Sequence, residues 1–183
     1  MDMATQTGPV LGIFASDKGP GDAERAGLMS EAGRLFARKG ARLVCLAENG
    51  VIPVPLITAA RTAGGQVEVL ADASIVLPTA LESVPITIIP DSAERAARMA
   101  QMAEVFVALP GSLASATALF GAWKVGQNRP VVMLNRHKAF EVVKGFAADV
   151  LYHAVPGYDR NIQFADSVDD MWTKVAWVLQ QSR

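Results

Sequence analysis

The sequence predicts an α/β protein: a Rossmann-like, doubly wound, mostly parallel sheet of about seven strands, with helices on both faces. Three observations carry this. Short apolar runs alternate along the chain with longer amphipathic stretches. Several of those runs are apolar without alternation and rich in Val and Ile, as strands buried on both faces are. Hydrophobic residues make up 51% of the 183 residues, enough to cover both faces of a sheet.

The predicted strands are, in order, Val10–Ala15, Arg42–Ala47, Gln66–Leu70, Ile86–Pro90, Val105–Leu109, Pro130–Leu134 and Ile162–Ala165. Helices are predicted near 23–39, 54–63, 92–103, 113–126, 139–150 and 167–181. The first places Leu28, Ala32, Leu35 and Phe36 on one face, and the last places Val168, Met171, Trp172, Val175 and Leu179 at helical spacing. Ser167 with Asp170 has the spacing of a capping box. Gly40, Gly64, Gly126 and Gly145 fall near helix ends, where glycine commonly caps. Strand and helix in alternation imply right-handed crossovers and a parallel sheet. Helix 92–103 carries Ala93, Ala96, Ala97, Met99, Ala100, Met102 and Ala103 around its circumference, which predicts burial on more than one side.

Composition excludes several classes. Net charge is −1 with no basic block, which argues against a protein that holds nucleic acid through its phosphates. No apolar run approaches the roughly 18 residues of a membrane span. Met1–Gly8 is polar and short and reads as a loose tail rather than a signal peptide. Residues 9–183 then read as one domain, with no repeat or linker inside it. Cys45 is the single cysteine, so no internal disulfide forms, which fits the reducing cytoplasm. It sits within the apolar run Leu43–Leu46 and reads as a buried strand thiol.

Parallel α/β sheets bind ligands at the carboxyl ends of their strands, near the topological switch point. That singles out Ser16–Asp22, Glu48–Pro53, Pro110–Ser115 and Asn135–Lys138. Gly19-Pro20-Gly21 lacks a dinucleotide fingerprint, because Glu24 stands at the third glycine and the glycines begin several residues past the strand. Glu48, ending the second strand, has the place of a ribose-binding acid. The segment Leu109-Pro110-Gly111-Ser112-Leu113-Ala114-Ser115 follows a buried strand and opens a helix. Free amides and the helix dipole make such a place ready for an anion, with Ser112 and Ser115 as caps or hydroxyl donors. The histidines, His137 and His153, have no cysteine or acid at ligand spacing, so neither a metal nor a cofactor is expected. Trp172 and Trp177 fit core and partner-facing positions.

The segment from Asp91 to Gly111, with Glu94-Arg95, Met99 and a strand ending in Pro110-Gly111, resembles the central part of the LOG family. Val44–Gly65, Pro130–Asn135 and Ile162–Val175 follow the same family order, so the resemblance covers nearly the whole chain. It implies the Rossmann-like fold, a homodimer through the helices near 92–103 and 113–126, and cytokinin riboside 5′-monophosphate phosphoribohydrolase activity. Family members often carry the label lysine decarboxylase, but no Schiff-base lysine can be placed here.

Residue by residue, the signature departs from the family. Ala96 replaces its Lys, Ser112 and Ala114 its second and third glycines, Ser115 its Thr, and Ala118 its catalytic Glu. The Gly-rich loop reads Ala47-Glu48-Asn49-Gly50-Val51-Ile52-Pro53-Val54. Each added Cβ narrows the approach of backbone amides to an anion, and Glu48 brings a carboxylate toward the phosphate position. N-glycosidic cleavage needs a stabilised oxocarbenium and an activated water, and Ala118 supplies neither. The candidate ligand residues are Ser16, Asp17, Glu48, Asn49, Gly50, Arg95, Pro110, Gly111, Ser112, Ser115 and Asn135. The leading expectation is a protein that binds a nucleotide or small phosphate-bearing ligand without hydrolysing it. Two alternatives stay open. One is an active phosphoribohydrolase with a rearranged site, in which Asp17, Glu48 or Asp91 serves as the acid. The other is a dimeric scaffold with a vestigial pocket.

Overall fold

The computed structural model describes residues 8–16, 23–111, 113–126, 129–151, 153 and 157–182. Seven strands form one sheet: β1 (Val10–Phe14), β2 (Arg42–Ala47), β3 (Gln66–Ala71), β4 (Ile86–Ile88), β5 (Val105–Ala108), β6 (Val131–Leu134) and β7 (Ile162–Ala165). Their order is β4-β3-β2-β1-β5-β6-β7, and each neighbouring pair runs parallel. The helices are α1 (Ala23–Arg38), α2 (Val54–Thr62), α3 (Ser92–Met102), α4 (Leu113–Val125), α5 (Glu141–Phe146), α6 (Tyr158–Asn161) and α7 (Val168–Gln181). The predicted strand positions and the doubly wound class therefore hold, and the expected tail 1–8 lies outside the described residues up to Thr7.

Alternation within the strands sorts side chains onto two cores. Leu11, Ile13, Leu43, Cys45, Val69 and Val107 pack with Met29, Phe36, Leu56, Ile57 and Met171 on the face of α1, α2 and α7. Phe14, Val44, Leu46, Leu70, Phe106 and Met133 pack with Met99, Ala100, Leu119 and Ala122 on the face of α3 and α4. Phe14 and Phe106 meet edge to face at 5.4 Å, a favoured aromatic geometry. Gly12 faces the second core: a Cβ there would lie 2.9 Å from Met99 Sδ and 3.0 Å from Phe106 Cδ1. Its missing side chain lets α3 approach β1.

Three expectations need adjusting. Helix 139–150 begins two residues later than predicted, at Glu141, and turns π-helical over Ala147–Leu151, and a separate 3₁₀ turn at Arg136–Lys138 precedes it. His137 and Lys138 have φ of 51° and 59°, outside helical space. Helix α3 buries one face, that of Arg95, Met99 and Ala100, while Ala93, Arg98 and Gln101 are exposed. Its outward alanines satisfy helix propensity, and within one chain only this side is buried. At α7, Ser167 caps as expected by accepting from the Asp170 amide at 3.1 Å, but Asp170 Oδ2 accepts from Asp166 N at 3.1 Å, one residue short of the reciprocal box.

Candidate functional site

The sheet reverses its winding between β1 and β5. The chain leaves β1 toward α1 on one face and β5 toward α4 on the other, the switch point at which open α/β sheets place a ligand crevice. Ser16, two residues past the end of β1, is fully buried. Gly111 sits against it: a Cβ on Gly111 would lie 2.5 Å from Ser115 Oγ and 3.2 Å from Ser16 N. Ser16, Gly111 and Ser115 thus converge at the opening of α4. Asp17, Ser112 and Gly19-Pro20-Gly21 lie outside the described residues.

A cavity beside this point is lined by Phe14, Leu46, Glu48, Val51, Ser115 and Ala118, among others. Three chain segments far apart in sequence therefore share one wall. Ala118, which takes the place of the family's catalytic Glu, presents only a methyl group to it.

Glu48 and Arg95 are bonded to each other. Arg95 Nε donates to Glu48 Oε1 at 2.8 Å. The Arg95 side chain is 5% exposed and that of Glu48 20%. Arg95 Nη1 also donates to the carbonyls of Ile89 and Pro90. The guanidinium is placed by α3, whose N-terminus is capped by Asp91 accepting from Glu94 N at 2.8 Å. Such capping fixes the first turn, and Arg95 stands one turn in.

The loop after β2 is a tight hairpin turn. Glu48 N donates to Val51 O at 3.2 Å and Val51 N to Glu48 O at 2.9 Å. Asn49 and Gly50 have φ of 55° and 73°, the pair of positive values that a two-residue type I′ turn requires. The Asn49 amide donates to Asp72 Oδ2 at 2.8 Å. The Glu48 and Asn49 amides are therefore spent on partners within the chain. Asp72 was not singled out in the sequence. It follows β3 and also accepts from Ser74 Oγ at 2.6 Å. The Ser74 hydroxyl first, then the Asn49 amide, hold its carboxyl below the ordinary range, with Arg95 adding a smaller pull. At the ends of β2 and β3, Glu48 thus bonds the guanidinium and Asp72 feels its charge.

Asn135 ends β6 away from this cavity and is used structurally. Its Oδ1 accepts from Phe140 N and its Nδ2 donates to Glu141 Oε2, both at 2.8 Å. His137 reaches Glu24, at the start of α1, at 2.7 Å. The Glu24 carboxyl is held below its ordinary value chiefly by that contact. His153 is exposed. Among the described residues no group of three or more His, Cys, Asp or Glu has the arrangement of a metal site. Burial pushes the Cys45 thiol well up, so it is a core thiol. Trp172 packs on Phe36 at 6.2 Å, and Trp177 is partly exposed.

With this geometry in view, solved structures can be compared. The molybdenum cofactor carrier protein of Chlamydomonas reinhardtii superposes with a TM-score of 0.69 at 21% identity, over 94% of this chain and 98% of that one. The molybdenum cofactor binding protein of Rippkaea orientalis gives 0.69 at 14% identity, over 96% and 99%. The fold is LOG-like. The DNA processing protein A of Helicobacter pylori, described by its single-stranded DNA binding mode, gives 0.62 at 12% identity over 93% and 81%. No protein-family model and no curated protein matches the chain.

Proposed function

We propose that this LOG-like chain binds a small phosphate-bearing ligand, of the nucleotide type, without the hydrolase chemistry of the family it resembles. The observation that carries this is Ala118 in the crevice wall beside Glu48, where Glu48 is bonded to Arg95. No unpaired carboxylate faces the crevice from α4 to activate water or steady an oxocarbenium. The phosphate lies at the opening of α4, by Gly111 and the hydroxyl of Ser115, where a helix N-terminus favours an anion. The two neighbours named for the molybdenum cofactor support ligand carriage, as opposed to turnover, as the use of this crevice. Calorimetry with AMP, combined with an assay for free adenine, tests the reading: it predicts binding without release.

A second reading has one observation in its favour. Glu48 is a carboxylate lining the crevice, and if it exchanged Arg95 for a water it would supply the acid of a rearranged phosphoribohydrolase. Adenine release lost in Glu48→Gln would establish it. A third, the dimeric scaffold, draws on α4, which is apolar around its circumference yet exposes Phe120 and Val125. We take those residues, with α3, as the face of a homodimer in either of the first two readings. The proposal places residues 9–183 as one cytoplasmic domain acting on a small molecule, with neither nucleic acid nor membrane as partner. A net charge of −1 supports the first exclusion. No helix among the described residues is long and apolar enough to cross a membrane.

A further inference from the structure

The Arg95 end of the crevice has the residues of an anion site and already contains an anion. Arg95 is 4% exposed as a residue. Three of its bonds are made within the chain: Nε to Glu48, and Nη1 to the Ile89 and Pro90 carbonyls. The carbonyls orient the guanidinium, and Glu48 Oε1 neutralises it at 2.8 Å. A buried guanidinium needs such a counter-charge, because a lone buried charge is costly. The amides that would help an incoming anion are occupied as well, Glu48 N by Val51 O and Asn49 N by Asp72. Asp72 adds a second negative charge at the same edge. An external phosphate would have to displace one carboxylate and lie beside another, and like charges a few ångströms apart repel.

We propose that Glu48 is the resident anion of the Arg95 site. It makes this end of the crevice reject phosphate and select ligand groups that donate hydrogen bonds, hydroxyl or amine. Glu48 Oε1 is fixed by Arg95, while Oε2 accepts no hydrogen bond from the described residues, and the side chain is one-fifth exposed on the cavity wall. A carboxylate held by one oxygen and open at the other is a positioned acceptor. Glu48 is then the specificity-determining residue and Arg95 its positioning residue. The choice of a polyol-bearing phosphate ester as ligand rests on the function proposed above; the resident-anion claim does not.

The test measures thermal unfolding of the full chain in acetate and in inorganic phosphate, against chloride at matched ionic strength. Glu48→Ala empties the anion position. Acetate and phosphate should each raise its midpoint by about 5–10 °C at saturating concentration, and neither should do so in Glu48→Ala/Arg95→Met. Wild type should show no acetate response. A phosphate response of wild type that survives Arg95→Met reports the opening of α4 and agrees with the division of roles. Should Glu48→Ala not fold, Glu48→Gln keeps the side-chain volume and should acquire the phosphate response. Absence of anion rescue in either variant, or a wild-type acetate response abolished by Arg95→Met, overturns the claim. A ligand arm compares AMP with 2′,3′-dideoxy-AMP. Wild type should prefer AMP by roughly tenfold, the worth of one good hydrogen bond to a charged acceptor, and Glu48→Ala should lose that preference. An unchanged preference in Glu48→Ala overturns the selectivity claim. If neither nucleotide binds any variant while anion rescue is intact, the nucleotide reading fails and the resident anion stands.

Discussion

Replacing Arg95 by Met should destabilise the protein by about 3 kcal/mol. The figure follows from its bonds. The side chain donates to Glu48 Oε1 and to the carbonyls of Ile89 and Pro90. Breaking a buried ion pair from one side costs about 3–5 kcal/mol. The Glu48 side chain is 20% exposed, so its orphaned carboxylate regains part of its hydration, which favours the lower end. Met fills most of the vacated aliphatic volume, so cavity formation adds little. In a chain of this size each kcal/mol moves the midpoint by about 2–4 °C, giving a drop of about 6–12 °C. Urea unfolding of Arg95→Met, Glu48→Gln and the double variant gives the coupling directly. The two effects should be strongly non-additive, because each single change orphans the other partner. A loss below about 1 kcal/mol in Arg95→Met, or additivity within the roughly 0.5 kcal/mol expected of unconnected sites, would refute the claim that this pair anchors the crevice wall.

Asp72→Asn should cost stability at neutral pH and cost progressively less on acidification. The wild-type carboxyl titrates below its ordinary value of 3.8, so its stabilising effect is complete above that value and is lost as pH falls through the lowered one. Urea midpoints at pH 7 and near pH 3 should show the gap closing, and a gap that widens in acid contradicts the assignment. Cys45 should not react with a thiol reagent in the native state, because burial pushes its thiol up and closes access; modification faster than unfolding would place it elsewhere. Phe120→Asp, on the exposed face of α4, should convert a dimer to a monomer in light scattering with unchanged circular dichroism, and an unmoved mass would remove α4 from the interface.

The strands were legible because their code is local. Runs such as Val105–Leu109 are apolar throughout, and only a sheet covered on both faces accommodates them. The helix after β6 was less so. The positive φ of His137 and Lys138 has no signature in those side chains, and the turn is held by Asn135 reaching the Phe140 amide. The alanines of α3 were ambiguous because alanine serves helix propensity and burial alike. At the site, topology alone placed the crevice at the strand ends, with Glu48, Gly111 and Ser115 around it. What the sequence could not show is the pairing of Arg95 with Glu48, 47 positions apart. That pairing depends on β4 lying two strands from β2, an order only the fold supplies. Asn49-Gly50 is itself a strong two-residue hairpin signal, and reading Ala47–Val54 against a glycine-rich loop obscures it. Asp72 carried no local mark separating it from other acids at strand ends.

The central claim is that the crevice holds a phosphate-bearing ligand and leaves it intact. The most direct measurement is a calorimetric titration of the purified protein with AMP, alongside ribose 5-phosphate, inorganic phosphate and NAD, with the AMP samples assayed for free adenine. The account predicts saturable AMP binding and no adenine. Adenine released in proportion to protein and time would contradict it, and would make the carboxylate of Glu48 the acid of a working hydrolase.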